Sequence, residues 1–426
     1  GNGGGNGNGG GNGNGDGGNG AYGGGGGGAS SNSNPQTSGS GGRGFVVFQY
    51  QITAQGVSIN APNGDVQVDG DLSARDLTIE TAGNSSEVSG TVNISDNGSG
   101  FTKQGSGTLK LTADNTFTAD TNIEAGTLQI GDGSSNGSLA STDIKINDGA
   151  TLDIQRNDEY TLASNILDGT SSPTTGGAVT ISSSGGTITL SGASSYSGGT
   201  TVNAGILKAG TNSTFDTTNS DTLTGGAFGT ELVTVSDGAE LDLNGAIVGN
   251  DLNLTGKGVN GGALNHSGTA KATVTGDVTL SGAGTVIKSL GDLDLTGAFN
   301  PPSGGNSLTL TFDNAGDVTL RDNLELSVDT TIVSSKVGDV GNTGDLILAG
   351  TISEASDASG SSLTIDNAGT VQLLGGIGSQ TGTDNLTAID ALTVNGAATV
   401  AAKITTDGTQ EYGVDQSDDV AVSPGG

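Results

Sequence analysis

The sequence contains no cysteine, methionine or tryptophan, and its 426 residues include a single histidine, His266. Without cysteine there can be no disulfide, no thiolate metal site and no cysteine nucleophile. One histidine cannot build a multi-histidine metal centre, and it leaves little for histidine-based acid–base catalysis. These absences argue against most of the common enzyme classes and predict a protein without a cofactor.

Basic residues are also scarce, because 13 Lys and Arg stand against 45 Asp and Glu and the formal net charge is −32. This charge predicts that nucleic acids and anionic lipid surfaces are repelled as partners. No apolar run is long enough to cross a membrane as a helix. The low lysine content and the many Gly, Asn, Thr and Ser residues are typical of secreted bacterial surface proteins, which predicts an extracellular or cell-surface location.

Glycine is the residue in excess, with 81 of 426 positions. Residues 1–44 form a glycine-rich tract in which Tyr22 is the one large apolar side chain. Such a tract is either a flexible linker or a set of closely packed, extended chains of the polyglycine-II type. The chain begins at Gly1, which predicts a processed protein or a piece of a longer one.

Residues 45–52 change abruptly to β-branched and aromatic side chains, which predicts a short strand. The strand has two possible roles, because it could cap the fold that follows or add to the edge of a second subunit. The side chains of this candidate assembly junction are Phe45, Val46, Val47, Phe48 and Tyr50.

From residue 53 to residue 426 the sequence repeats short triplets in which two aliphatic residues flank a third residue, which is polar in every triplet except Leu346-Ile-Leu348. This alternation predicts strands with one buried face, and the Asn-Gly, Asp-Gly and Ser-Gly pairs between them predict tight turns. The triplets lie at 57–59, 66–68, 77–79, 92–94, 109–111, 128–130, 144–146, 152–154, 188–190, 233–235, 241–243, 252–254, 278–280, 293–295, 318–320, 346–348, 371–373 and 392–394.

Longer stretches of the sequence are copied. Residues 107–128 recur at 186–207 with an offset of 79, and residues 144–154 recur at 233–243 with an offset of 89. Ten residues are therefore inserted between the two copied stretches, while the strands themselves are kept. Parallel β-solenoids behave in this way, because each coil offers equivalent positions to its neighbours and insertions emerge as loops.

We therefore predict an all-β fold, a right-handed parallel β-solenoid over residues 53–426, with the hand taken from the usual crossover preference. A coil of roughly 20 residues gives about 18 coils, and a strand spacing of ~4.8 Å gives a rod of about 90 Å. The copied segments resemble the autotransporter-associated β-strand repeat of bacterial passenger domains. Residues 363–412 resemble the repeats of filamentous, haemagglutinin-like surface proteins. Both resemblances imply a β-helix on or outside a bacterial cell.

Several carboxylates are candidates for metal binding or catalysis. Asp148, Asp237, Asp313 and Asp366 suit calcium by their oxygen ligands, but an Asp before Gly or Asn is also what tight turns require, and we predict turns. Polysaccharide-cleaving β-helices use clustered carboxylates on one sheet face. The candidates of this kind are Asp153 and Asp242, which we expect on exposed strand faces, whereas His266 is expected in a loop.

Phe117 and Tyr196 occupy equivalent positions of the two copies. They could stack on sugar rings, but an aromatic residue kept while its neighbours vary favours a place in the core or at a corner. The sequence as a whole predicts an extracellular structural protein whose partner is itself, joined head to tail into a filament. The alternatives are the stalk or passenger of an adhesin that binds glycans or cell-surface proteins, and a polysaccharide-degrading β-helix.

Overall fold

A computed structural model describes residues 36–37, 46–48, 52–95, 100–170, 176–219, 222–282, 284–301, 307–335, 344–355, 360–378, 388–401, 403–412 and 420–422. Within these ranges the chain forms strands and no helix. Accordingly, the described part of the chain contains no helix that could cross a membrane. Most of the glycine-rich tract and the junction residues Phe45 and Tyr50 lie outside the described residues.

The strands are short and follow one another along the chain. The first sixteen are β1 (Gln36–Thr37), β2 (Val46–Phe48), β3 (Ile52–Ala61), β4 (Val66–Val68), β5 (Leu72–Thr81), β6 (Ser86–Val88), β7 (Val92–Ile94), β8 (Gly100–Gln104), β9 (Thr108–Leu111), β10 (Thr121–Ile123), β11 (Thr127–Ile130), β12 (Asp143–Ile146), β13 (Thr151–Ile154), β14 (Glu159–Leu162), β15 (Asn165–Asp168) and β16 (Ala178–Leu190). The next thirteen are β17 (Thr200–Ala209), β18 (Thr214–Phe215), β19 (Leu223–Gly225), β20 (Val233–Val235), β21 (Ala239–Asp242), β22 (Ile247–Val248), β23 (Leu252–Leu254), β24 (Leu264–His266), β25 (Ala272–Val274), β26 (Val278–Leu280), β27 (Val286–Ser289), β28 (Leu293–Leu295) and β29 (Phe299–Asn300). The last twelve are β30 (Leu308–Asn314), β31 (Val318–Leu320), β32 (Leu324–Leu326), β33 (Thr330–Ser335), β34 (Leu346–Leu348), β35 (Ile352–Glu354), β36 (Leu363–Asn367), β37 (Val371–Leu373), β38 (Leu392–Asn395), β39 (Ala398–Val400), β40 (Gln410–Tyr412) and β41 (Val420–Val422).

Neighbouring coils are joined by parallel pairing of equivalent strands. One sheet runs β1-β3-β5-β8-β10-β12-β15, and another runs β22-β25-β28-β31-β34-β37-β39-β41. A long ladder that starts at β2 and β4 and ends at β38 and β40 supplies most of the other faces of the coils, and β32 pairs with β35 in a separate sheet. In the regular part of the chain three strands make one coil, as in β24, β25 and β26 followed by β27, β28 and β29. These pairings confirm the predicted parallel β-solenoid, while its right hand stays a prediction.

The core is a set of aliphatic columns that run along the axis of the solenoid. Leu109, Leu128, Leu152 and Val179 pair in register on four successive strands, and each of them is completely buried. On each of these strands the residues directly before and after the buried side chain face outward, because side chains alternate along a strand. Burying an aliphatic side chain of this size contributes about 1.5–3 kcal/mol, and the columns therefore hold the stack together.

All of the predicted triplets lie in strands of the structure, except that Leu243 follows the end of β21. The coils vary in length more than the sequence predicted. Thr393 pairs with Glu411 on the next coil, and Thr201 pairs with Thr234. The number of residues between the paired positions is nearly twice as large for Thr201 and Thr234 as for Thr393 and Glu411. Most steps exceed the coil length assumed from the sequence. Longer coils mean fewer rungs in the same chain, so the estimate of about 90 Å for the rod is too long.

Parallel pairing begins before residue 53. Gln36 and Thr37 pair with Val57 and Ser58, and β2 pairs in register with β4. Residues 36–37 of the glycine-rich tract thus pair with the first coil of the solenoid, and so does β2.

Glycine is required where successive coils touch at a corner. A Cβ atom added at Gly316 would collide with the backbone of Gly291 one coil earlier, and a Cβ at Gly344 would collide with the backbone of Gly316. Close approach of two backbones leaves no room for a side chain. Part of the glycine excess therefore follows from the stacking of coils.

Candidate functional site

One face of the solenoid is interrupted in the middle of the chain. The sheet that begins at β1 ends at β15, and the sheet that ends at β41 begins at β22. β15 lies between β14 and β16 in the coil, just as β22 lies between β21 and β23, so the two sheets occupy the same side. We call this side the split face. Its gap is the main irregularity of the described part of the stack.

A hairpin occupies the gap of the split face. β18 and β19 pair in antiparallel fashion, with Thr214 opposite Gly225 and Phe215 opposite Leu223. The ten residues inserted between the copied segments fall between Leu207 and Val233, and this hairpin accounts for them. The predicted emergence of insertions as loops is confirmed at this position.

The hairpin stem also covers the free edge of β22. The backbone N–H of Ser213 donates to the carbonyl of Ile247 at 2.8 Å, and the N–H of Ile247 donates to Oδ1 of Asn212 at 3.0 Å. Gly249 has no room for a side chain, because a Cβ there would lie 2.7 Å from Leu223 and 2.8 Å from Phe215. The edge that the gap would expose is therefore closed by the same chain.

Two shallow clefts flank the hairpin. One, of about 320 Å³, is lined by residues 209–212 and 244–246. The other, of about 270 Å³, is lined by residues 197–201 together with Glu231, Leu232 and Thr234. Leu232 is 44% exposed at the second cleft, and hydroxyl groups and a carboxylate surround it. The second cleft therefore offers one exposed apolar side chain beside several hydrogen-bonding groups.

Asp242 does not lie on an exposed face as the sequence predicted. It is buried, and its carboxylate accepts hydrogen bonds from the backbone N–H of Ser267 at 3.0 Å and from the Ser267 hydroxyl at 2.6 Å. The ammonium of Lys208 lies 3.5 Å away. These partners hold β21 against the turn after β24, so the carboxylate is occupied by structural contacts.

Asp153 faces outward but is half-buried, and burial raises the pKa of its carboxyl, opposed by Ser182 and Lys110. It pairs in register with Gln129 and Thr180, not with another carboxylate. Asp153 and Asp242 belong to different columns, separated by the corner between β13 and β14. The structure does not bring the two candidate catalytic carboxylates together on one strand column.

His266 is a strand residue, and the prediction of a loop was wrong. It ends β24, is completely buried, and its Nδ1 accepts the backbone N–H of Gly245 at 3.2 Å. Its Nε2 has no hydrogen-bond partner among the described residues. Burial lowers the pKa of the imidazole, opposed first by the backbone of Ala270 and then by the carboxylates of Asp242 and Asp292.

The four aspartates considered for calcium divide into two pairs. Asp148 and Asp237 lie in tight turns, whose following glycines have φ of 71° and 80°, as predicted. Asp313 and Asp366 were wrongly assigned to turns, because they lie in β30 and β36 and face Lys288 and Asn395. Within the described residues no three acidic or histidine side chains come close enough to hold a metal ion.

The sequence analysis missed the role of a different set of aspartates at the corners of the coil. Asp292, Asp317 and Asp345 stack on one another, and each carboxylate accepts the backbone N–H of the residue one coil later, at 3.1, 2.9 and 3.1 Å. Asp71 does the same with Thr91, whose N–H lowers the pKa of that carboxyl. The recurring Gly-Asp pair directly before an aliphatic triplet is the signal that could have identified them.

A family model, described as the passenger-associated-transport-repeat, matches residues 101–130 and 183–209. Two segments of the chain are therefore similar to this repeat. The predicted resemblance to the repeat of autotransporter passengers is thereby confirmed for these segments. No curated protein and no solved structure matches the chain.

The two matched segments lie in strands and corners of the solenoid, and the aromatic position that they share lies inside. Phe117, between the strands of the first repeat, is buried and packs edge to face against Phe101 with 6.4 Å between ring centroids. Tyr196, in the second repeat, is completely buried, and its hydroxyl lies 2.5 Å from that of Thr200. Neither ring can stack on a sugar at the surface.

The first repeat also buries a lysine. Lys103 pairs in register with Ile79 and Ile123 in a core column, and its ammonium donates to the carbonyls of Gln104, Gly105 and Ala125 at 2.9, 2.7 and 3.0 Å. Burial lowers its pKa to about 8. The three carbonyls satisfy the buried ammonium, which in turn links the backbone of two adjacent coils. Lys103 is therefore a structural residue of this segment.

Proposed function

We propose that the chain is an extracellular structural protein of a bacterial surface, a β-solenoid rod that joins end to end into a filament or fibrous matrix. The observation that carries the proposal is the continuous ladder of parallel strands from β2 to β40. The two matched repeats support display outside a bacterial cell. The large negative charge keeps such rods apart along their sides, where like charges repel.

The ends of the solenoid support assembly in one dimension. Within the described residues β1 and β2 pair on one side only, and so do β40 and β41. Unpaired strand edges template further pairing. A contact between the first coil of one molecule and the last coil of another does not close on itself, and its product is a fibre. The candidate junction side chains are Phe45, Val46, Val47, Phe48 and Tyr50, within residues 1–52.

Electron microscopy of the purified chain tests this assembly. We expect fibres from the full chain and single rods from a variant that lacks residues 1–52, with an unchanged β-sheet circular dichroism spectrum. A second truncation, of residues 1–35, separates the glycine tract from the strands that follow it. A full chain that stays monomeric at high concentration, or a variant lacking 1–52 that still forms fibres, would contradict the proposal.

A second candidate function is the stalk or passenger region of an adhesin that binds glycans. The clefts beside the hairpin favour it, because Leu232, Glu231 and Thr234 offer an apolar surface next to hydrogen-bonding groups. Binding on a glycan array that is lost in a Thr234→Val variant would support this function. Thr180→Val is the matched control, because Thr180 lies in the same outward column but outside the cleft.

A further inference from the structure

A fully buried carboxylate lies under the loop that joins β23 to β24. Glu240 in β21 is on the outward side of its strand, since the next residue, Leu241, pairs with Leu264 in the core, yet its side chain has no exposed area. Its Oε2 accepts the backbone N–H of Asn260 at 2.7 Å. Its Oε1 accepts the side-chain amides of Asn260 at 3.2 Å and Asn265 at 2.7 Å. Among the described residues no cation forms an ion pair with it.

Asn265 is held by this carboxylate on one side only. Its side chain is 6% exposed, and its Nδ2 donates to Glu240. Its Oδ1 is buried and has no hydrogen-bond partner among the described residues. A buried carbonyl oxygen without a hydrogen-bond partner is destabilising, so such an atom marks a place where a donor or a further bond is expected.

Lys288 is a neighbouring residue that can supply this bond. Lys288 and Asn265 pair in register on β27 and β24, so their side chains leave the sheet on the same side, one strand spacing (~4.8 Å) apart. The Lys288 ammonium donates to the carbonyl of Asn260 at 2.9 Å. A Cβ on Gly262 would lie 2.7 Å from Cβ of Lys288, so the covering loop rests directly on the lysine stem.

We propose that Lys288 and Asn265 form an isopeptide bond that covalently joins two adjacent coils. The Nζ–Cγ bond forms, the Cγ–Nδ2 bond of Asn265 breaks, and Nδ2 leaves as ammonia. In the net reaction an ammonium group and a primary amide give a secondary amide and an ammonium ion. No oxidation or reduction takes place, and no co-reactant is needed.

Glu240 is placed to move the proton. The lysine must lose a proton before its amine can attack, and the leaving Nδ2 must gain one. The Glu240 carboxylate contacts Nδ2 of Asn265 directly. Glu240 and Lys288 also bind the same loop residue, Glu240 at the N–H of Asn260 and Lys288 at its carbonyl. When Nζ reaches Cγ of Asn265, the carboxylate takes up the lysine proton and delivers it to the leaving Nδ2. For the reaction the Lys288 side chain must turn from the carbonyl of Asn260 to Cγ of Asn265, a residue that the paired strands hold beside it.

The intact mass of the folded full chain tests the bond. We expect a mass lower than that of the sequence by one molecule of ammonia. Lys288→Arg and Glu240→Gln should each show the full sequence mass. Lys208→Arg is the matched control and should keep the deficit, because Lys208 occupies the same outward column but faces the carboxylate of Asp242, which has no amide to lose.

Loss of ammonia has a second possible source in this loop, because Asn260 precedes Gly261 and its amide can cyclise with the backbone. A succinimide of that kind is cleaved by hydroxylamine, whereas an isopeptide bond is not. Tryptic digestion should yield a branched peptide that joins Lys288 to Asn265. An unmodified mass in folded protein, a deficit that hydroxylamine removes, or a branch at Asn260 would each overturn the proposal.

Discussion

The carboxylate of Asp317 accepts the backbone N–H of Asp345, the residue in the same position one coil later, at 2.9 Å. The residue before the strand that begins at Leu346 thus bonds its N–H to a carboxylate and not to a backbone carbonyl. Aspartate therefore stacks on aspartate because each acid satisfies the next amide.

Replacing Asp317 by alanine should test this role. We expect a loss of about 1 kcal/mol in the free energy of unfolding, since the N–H of Asp345 would be left without an acceptor. Asp317→Asn keeps an oxygen at the same place and should be close to neutral. Urea denaturation of the three proteins gives the comparison, and equal losses for both variants would contradict the hydrogen-bond explanation.

Leu190 tests the register of the core columns. It is 1% exposed and pairs with Leu162 and Ala209. Leu190→Asp would place an unpaired charge between them and should cost several kcal/mol, whereas Thr189→Asp, one residue away on the outward side, should be tolerated. Thermal denaturation followed by circular dichroism measures both, and similar melting temperatures would count against the assigned register.

The buried His266 should make stability depend on pH. Because burial lowers its pKa in the folded state, the unfolded chain binds this proton more readily, and stability rises with pH. The contribution is fully present above the unfolded pKa of about 6.5 and is lost as the pH falls through the folded value. The difference in unfolding free energy between the parent and His266→Asn should therefore shrink on acidification. A difference that is constant between neutral and mildly acidic pH would contradict a buried neutral imidazole.

Gly316 should be intolerant of any side chain. Alanine there would meet the backbone of Gly291, so we expect a loss of about 1–3 kcal/mol from overpacking. Gly56→Ala is the control, since a Cβ at Gly56 meets no atom within 4 Å and should leave stability unchanged or slightly raised. The midpoints of urea unfolding compare the two, and a stable Gly316→Ala protein would show that the corner can open.

The aliphatic triplets predicted strands correctly because two flanking apolar residues fix which side of a strand is buried. β24 escaped prediction since it has one aliphatic residue followed by Asn265 and His266, a pattern that resembles a loop. Asp313 was assigned to a turn from its neighbours Asn314 and Ala315, yet the strand continues through it because Lys288 on the adjacent coil faces it.

The hairpin in the gap of the split face shows the same limit of prediction from sequence. The offset between the copied segments revealed an insertion of ten residues, but only the folded chain shows that the hairpin covers the edge of β22. An insertion has no copy elsewhere in the sequence from which its place could be deduced.

The sequence by itself determined that the chain is a stack of parallel coils, because period-two alternation and copied segments are local properties that each coil repeats. The tertiary structure decided which polar residues are buried and which of them meet. Glu240, Asn265 and Lys288 lie on three successive coils, far apart in sequence, and they come together only because coils of unequal length still pair in register. The step from one coil to the next is set by loops whose lengths vary, and no local pattern fixes which outward side chain lies above which.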